Sequence, residues 1–188
     1  DNISLYYLFK VFEIIEEHEA GVKLLKNVFF KDRRGTFCKT FSEKDFLKNG
    51  FLFQPKENFY SISKKFVLRG MHFQISNSAQ DKLVSCISGN ILDVVVDTRK
   101  NSEFFNQAYS FNLDAQSGLS VFIPQGFAHG FLSLSDDSIV NYLVSTNHDP
   151  NNDKGIRWDS INFKWPCRNP IVSERDESHP NISDINYF

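Results

Sequence analysis

The sequence predicts an all-β protein folded as an antiparallel sandwich or barrel, and three features carry that reading. Its aromatic residues favour strands: 20 Phe and 6 Tyr stand against a single Met, a bias suited to pleated, half-buried surfaces. Short apolar runs recur between residues 60 and 146, spaced by roughly 8 to 14 residues with no helical periodicity between them. Turn-forming residues separate these runs, which argues against βαβ crossovers.

The elements follow in order. "LFKVFEII" and "GVKLLKNVFF" read as the first strands, joined by the acidic turn "EEHEAG". In "FSEKDFLKNG", Ser42 stands three residues before Asp45, followed by the apolar pair Phe46 and Leu47 and a closing Gly50. That is the pattern of one short capped helix. Seven strands are then expected: "FVLRGMHFQ", "KLVSCIS", "NILDVVVDTR", "QAYSFNL", "LSVFIP", "HGFLSLS" and "SIVNYLVST". In "SGNI", Gly89 and Asn90 occupy the two central places of a tight hairpin turn. The polar tail from 167 to 188, with Pro170 and Pro180, is expected to wrap in loops with at most a turn of helix.

At 188 residues the chain suits one core. We read a single domain over 1–188, with N-terminal strands at 1–31, a barrel over about 32–166 and a C-terminal wrap at 167–188. A formal net charge of -2 gives no electrostatic reason to bind nucleic acid or anionic lipid. No apolar run approaches the roughly 20 residues of a membrane span, and the first residues lack the pattern of a secretory signal. The expectation is a cytoplasmic protein with neither nucleic-acid nor membrane partners. Cys38, Cys86 and Cys167 are odd in number and without CxxC spacing, so neither a disulfide framework nor a zinc site is indicated.

The chemistry concentrates in two stretches. In "GLSVFIPQGFAHGF" a glycine, five residues, Pro124, Gly126 and His129 match G(X)5PXG(X)2H, the second signature of the cupin double-stranded β-helix, or jelly roll. The first cupin signature expects His-x-His and a glutamate, whereas this chain has His72, Phe73 and Gln74 with no glutamate at the right distance. Two histidines and an amide are a poor first shell for a metal, so a metal-free, cofactor-free barrel is expected. Strand alternation places Gly70, His72 and Gln74 on one face of "VLRGMHFQ" and Arg69, Met71 and Phe73 on the other. Burying such polar groups unpaired costs about 2 kcal/mol or more each, so they need partners or a ligand. Asp97 and Arg99 of "VVVDTR" read as a structural ion pair.

"FFKDRRGTF", "VLRGMHFQ", "QDKLVSCISGNILDVVVDTRKNS", "IPQGFAHGF", the tyrosine of "VNYLVST", "IRWD", "KWP" and "VSERD" follow one another over about residues 21–180. In this the chain resembles the RmlC family, the dTDP-4-dehydrorhamnose 3,5-epimerases and their relatives. The resemblance implies a cytoplasmic, metal-free homodimer of deoxysugar biosynthesis that inverts carbons beside the 4-keto group of a nucleotide-diphosphate sugar. It implies His72 as base, Asp176 as the carboxylate that orients it, Lys82 as support for the enolate, and Tyr142 as acid on the opposite face. It assigns Arg34 and Arg69 to the diphosphate, places His129 and Gln74 near the sugar, and puts Phe30 at the substrate. Residues 8–16 are the candidate exchanged element of the dimer.

Two departures border the substrate. Where many members carry QxNxSxS, this chain has Glu57 and Phe59 in place of the Gln and Asn. Where a second tyrosine is usual after Tyr142, it reads Asn147, His148, Asp149, Pro150. A carboxylate and a phenyl ring do not reproduce amide hydrogen bonds, so the sugar or base bound is expected to differ. Two alternatives stay open: a metal-dependent cupin isomerase using His72 and His129, and a non-catalytic sugar-nucleotide-binding cupin.

Overall fold

A computed structural model describes residues 11–188. Strands numbered in chain order form two facing antiparallel sheets. One runs β1 (Phe12–Glu17), β2 (Lys23–Asn27), β10 (Leu119–Ile123), β7 (Lys82–Ser88), β12 (Ser138–Val144), β5 (Glu57–Ser63). The other runs β13 (Asp153–Gly155), β6 (Leu68–Gln74), β11 (Phe127–Ser133), β8 (Asn90–Asp97), β9 (Ala108–Asp114). This is the antiparallel sandwich that the apolar spacing implied, in the cupin-type jelly roll that the motif of Pro124, Gly126 and His129 indicated. Two short helices, α1 (Glu43–Lys48) and α2 (Glu174–Glu177), lie at its periphery.

Alternation along the strands sorts side chains into layers. Between the sheets lie Val84, Val95, Phe111, Val121, Phe131 and Val140. Behind the five-stranded sheet, Leu68, Met71, Phe73 and Val94 are covered by Ile156, Ile161 and Trp165, which follow β13, and by Ile182 and Ile185 of the C-terminal wrap. Behind the six-stranded sheet is a phenylalanine cluster. The ring of Phe46, fully buried on α1, lies 4.7 Å from Phe12, 4.9 Å from Phe41 and 5.1 Å from Phe51. The short helix thus exists to seal a sheet face.

The structure corrects several expectations. "GVKLLKNVFF" is not one strand: β2 ends at Asn27, whose buried amide donates to Ser120 Oγ at 2.6 Å. The chain then enters a separate ribbon of β3 (Phe29–Asp32) and β4 (Gly35–Cys38). β5 was not read as a strand because apolar residues occupy both its faces: Phe59 lines the cavity, while Tyr60 and Ile62 stand exposed on the outward face, which blurs alternation. β13, three residues long, is too short to show a period.

Gly89 does not close a hairpin. It joins β7 to β8, which belong to different sheets, so it is a corner, and Asn90 already lies in β8. The corner needs glycine for two reasons: its φ is +73°, and a Cβ there would come within 2.4 Å of Ser135 Oγ. Asp97 and Arg99 form the expected structural pair, with Nη2 2.6 Å from Oδ2. Gly89→Ala is expected to lower stability by about 1–3 kcal/mol in urea unfolding; an unchanged midpoint would contradict the corner geometry.

Candidate active site

The site begins with an irregularity in β6. His129 of β11 faces His72, but two residues further along, Phe131 faces Arg69, three residues back. β6 therefore carries one extra residue, a bulge centred on Gly70. A Cβ on Gly70 would lie 2.6 Å from the Gly130 Cα, and one on Gly130 would lie 2.7 Å from the Arg69 carbonyl oxygen, so the two backbones touch only because both residues are glycine. The bulge shifts the alternation by one position. Arg69, assigned by simple alternation to the opposite face, lines the same cavity as His72 and Gln74, while Met71 and Phe73 stay in the outer core.

That cavity, about 370 Å³, opens between the sheets. Its wall includes Glu57, Phe59, Arg69, His72, Gln74, Lys82, His129, Tyr142 and Asp176, nine of the eleven residues singled out from sequence. The other two, Phe30 and Arg34, lie on the β3–β4 ribbon, away from the cavity wall. Arg34 pairs there with Asp32, Nε to Oδ2 at 3.0 Å.

His72 Nε2 lies 2.7 Å from Asp176 Oδ1. Asp176 reaches it across 104 residues because the C-terminal wrap is tied to β6: Val67 and Ile171 form a parallel bridge. Ser173 then caps α2 by accepting the Asp176 N–H. The Gly70 N–H, freed from the ladder by the bulge, donates to Asp176 Oδ2 at 3.0 Å. Burial works to raise the Asp176 carboxyl, but His72, the Gly70 amide and His179 together outweigh it and hold the group below its ordinary value. An ionised carboxylate behind the ring fixes the orientation of the imidazole. The Asp176–His72 bond leaves the second ring nitrogen for proton transfer.

His129 forms a second imidazole–carboxylate pair, Nε2 to Asp93 Oδ2 at 2.6 Å, sealed at 4% and 0% side-chain exposure. It is the register partner of His72, and its ring meets Tyr142 edge-on at 6.0 Å. Tyr142 stacks on Phe59, its cross-strand partner, at 4.9 Å. Burial pushes its phenol far above the usual range, against a smaller opposing pull from Ser61, so the group stays protonated. Lys82 Nζ, buried, donates to the His72 carbonyl oxygen at 3.0 Å. Burial lowers its pKa to about 8, against the opposing charges of Asp153 and Asp93.

Gln74 lines the cavity, but its amide is already engaged. Oε1 accepts the Asp149 N–H at 2.7 Å, and Nε2 donates to the Ser78 and Asn147 carbonyls at 3.0 and 3.2 Å. It shapes the 147–150 loop. Glu57 does the same from the other side, accepting the His148 N–H at 3.0 Å. Arg69 is anchored through Nε to Ser63 Oγ at 2.9 Å. Sequence reading missed Ser61, Asp153, Ser173 and Arg175, all on the cavity wall. Arg175 is held by Asp153 at 2.7 Å. Ser173 was findable, since Ser-x-x-Asp is an N-cap pattern; Asp153 and Arg175 carried no local signal.

The chain resembles known proteins over most of its length. The sequence profile described as dTDP-4-dehydrorhamnose 3,5-epimerase matches residues 17–184. An enzyme of that name from Methanothermobacter thermautotrophicus is 40% identical over 172 residues, 89% of this chain and 92% of the relative. Another, from Shigella flexneri, is 36% identical over 178 residues, 93% of this chain and 98% of the relative. Among solved structures, a dTDP-6-deoxy-D-glucose-3,5-epimerase from Legionella pneumophila in complex with dTDP-4-keto-L-rhamnose superimposes with a TM-score of 0.88. It is 29% identical, over 93% of this chain and 95% of that one. The geometry around Lys82 makes one prediction independent of any substrate: its side-chain NMR signals should titrate with a midpoint near pH 8. A midpoint above about 10, the ordinary lysine range, would mean that the ammonium is not desolvated.

Proposed function

The chain belongs to the dTDP-4-dehydrorhamnose 3,5-epimerase family, and we propose a residue-level mechanism by which it inverts C3, C5 or both of a nucleotide-linked 4-keto-6-deoxy sugar. The enzyme is a sugar-nucleotide epimerase of deoxysugar biosynthesis. One observation carries the proposed roles. An imidazole backed by a carboxylate and a protonated phenol line one cavity, with a buried lysine beside them.

A proton α to a ketone is a weak acid, and inversion requires it to leave one face and return to the other. In the proposal His72 removes the proton, and Asp176 supports the imidazolium that forms. The ketone oxygen gathers negative charge, and the Lys82 ammonium stabilises it in a site with little water to screen the interaction. Lys82 carries that charge below about pH 8. Tyr142, kept neutral by burial, donates a proton to the opposite face of the carbanion. His129, locked by Asp93, and Phe59, stacked on Tyr142, set the shape against which the sugar rests. Arg69 is assigned to the diphosphate, where a guanidinium gives bidentate contacts.

We also propose a homodimer. β5 is an edge strand whose outward-facing Tyr60 and Ile62 are exposed, an apolar edge suited to a second copy. Phe30 and Arg34, away from the cavity of their own chain, are assigned to the nucleotide of a neighbouring subunit. Of the candidate exchanged segment 8–16, residues 8–10 lie outside the described residues, and the part within β1 pairs with β2 of its own chain.

In deuterated water, enzyme and dTDP-4-keto-6-deoxyglucose should give solvent deuterium at C3 or C5 by NMR; no label at either carbon would refute the activity on this substrate. His72→Ala should slow label uptake by about 10²–10⁴-fold, the usual contribution of a positioned base, while the fold is retained. Near-normal uptake would place the base elsewhere. Light scattering after gel filtration should give twice the chain mass of 21.8 kDa; a monomer at micromolar concentration would remove the edge-strand contact.

A further inference from the structure

Behind the proposed base lies a group that the mechanism does not use. His179, on the C-terminal wrap, is 13% exposed, with its Nε2 3.8 Å from Asp176 Oδ1. That nitrogen is buried and has no hydrogen-bond partner. The ring meets the His72 ring edge-on at 5.9 Å. It rests against Gly155, where a Cβ would come within 2.4 Å of two of its ring atoms. Gly155 is itself the β13 partner of His72, so a glycine beside the base provides the space in which a second imidazole sits. Orphaned buried nitrogens are uncommon in folded proteins, and each calls for a reason.

We propose that His72, Asp176 and His179 form a binding site for a transition dication of the Zn²⁺ class, whose occupation switches off the base. One ligand atom from each of the three residues already falls within a 4.8 Å cluster. Two ligands at about 2.0–2.1 Å from a tetrahedral ion lie roughly 3.3 Å apart. The present separations of 2.7 Å and 3.8 Å to Asp176 Oδ1 bracket that value, and the three ligand atoms together lie within 4.8 Å, so the two imidazoles have to close on each other by up to about 1.5 Å, a movement of side-chain rotation, to complete the site. Two imidazoles and one carboxylate are a donor set that suits zinc, with water in the fourth position. The site differs from the cupin one, because His129 is committed to Asp93.

Occupation changes the chemistry in a defined way. The ring proton that His72 Nε2 shares with Asp176 Oδ1 moves to Nδ1, the nitrogen that would otherwise accept the substrate proton, and the ion takes its place on Nε2 and Oδ1. The ion draws electron density from the ring, and the carboxylate spends its charge on the metal instead of on the imidazolium. His72 stays in position but loses basicity. The inhibitory half rests on the proposed role of His72, whereas the binding half does not.

Chelator-treated protein titrated with Zn²⁺ should bind one equivalent by calorimetry. Ring NMR signals of His72 and His179 should shift together while those of His129 stay in place, and deuterium uptake should fall in step. His179→Leu should weaken Zn²⁺ binding by more than about tenfold and raise the Zn²⁺ concentration that halves deuterium uptake by the same factor. Absence of saturable binding, or shifts at other histidines, would overturn the site. Binding with undiminished uptake would overturn the inhibition alone. If the protein proves inactive toward keto sugars, the calorimetry and ring signals still decide whether the site exists. They also decide it in the wild type if the leucine variant does not fold.

Discussion

The close approach of β6 and β11 at Gly70 and Gly130 is the constraint on which the site depends. With side chains at either position the strands would separate, the extra residue in β6 would have no room, and alternation would resume its ordinary phase. Arg69 would then face away from His72. The same bulge removes the Gly70 N–H from the ladder and turns it toward Asp176. A single backbone irregularity thus places the cation and the imidazole in one cavity, and gives the carboxylate behind the imidazole its second anchor.

The site uses one chemical pair twice in different surroundings. His72 with Asp176 sits at the cavity wall, its ring 31% exposed; His129 with Asp93 is sealed from solvent. An imidazole that is to exchange protons must reach its substrate, whereas one that holds a wall in place must not move. Burial makes the difference, since the two residues face each other across adjacent strands. Burial also explains the two outlying acidities: it brings the loss of the Lys82 charge down to about pH 8 and denies Tyr142 any charge.

Much of this was legible in the sequence. The apolar runs between 60 and 146 gave the strands, and the spacing of Pro124, Gly126 and His129 marked the cupin fold and a histidine that the structure finds on the cavity wall. What escaped has physical reasons. Gly89 looks like a hairpin residue because a corner between sheets and a tight turn make the same local demand, a positive φ. Arg69 was assigned to the wrong face because a bulge arises from a contact between two strands, and only one of them was being read. Gln74 lines the cavity as expected, yet its hydrogen-bonding capacity goes to the Asn147 and Asp149 backbone, a partnership with no signal at either end. Arg175 and Asp153 meet only because the wrap folds back along β6.

The placement of Asp176 has a consequence for how the protein comes into being. Imidazole and carboxylate are separated by 104 residues. In synthesis every strand of both sheets precedes the carboxylate that supports the base. The wrap that brings this carboxylate also brings Ile182 and Ile185 to cover the five-stranded sheet, so the closing of the core and the arming of the imidazole are one event.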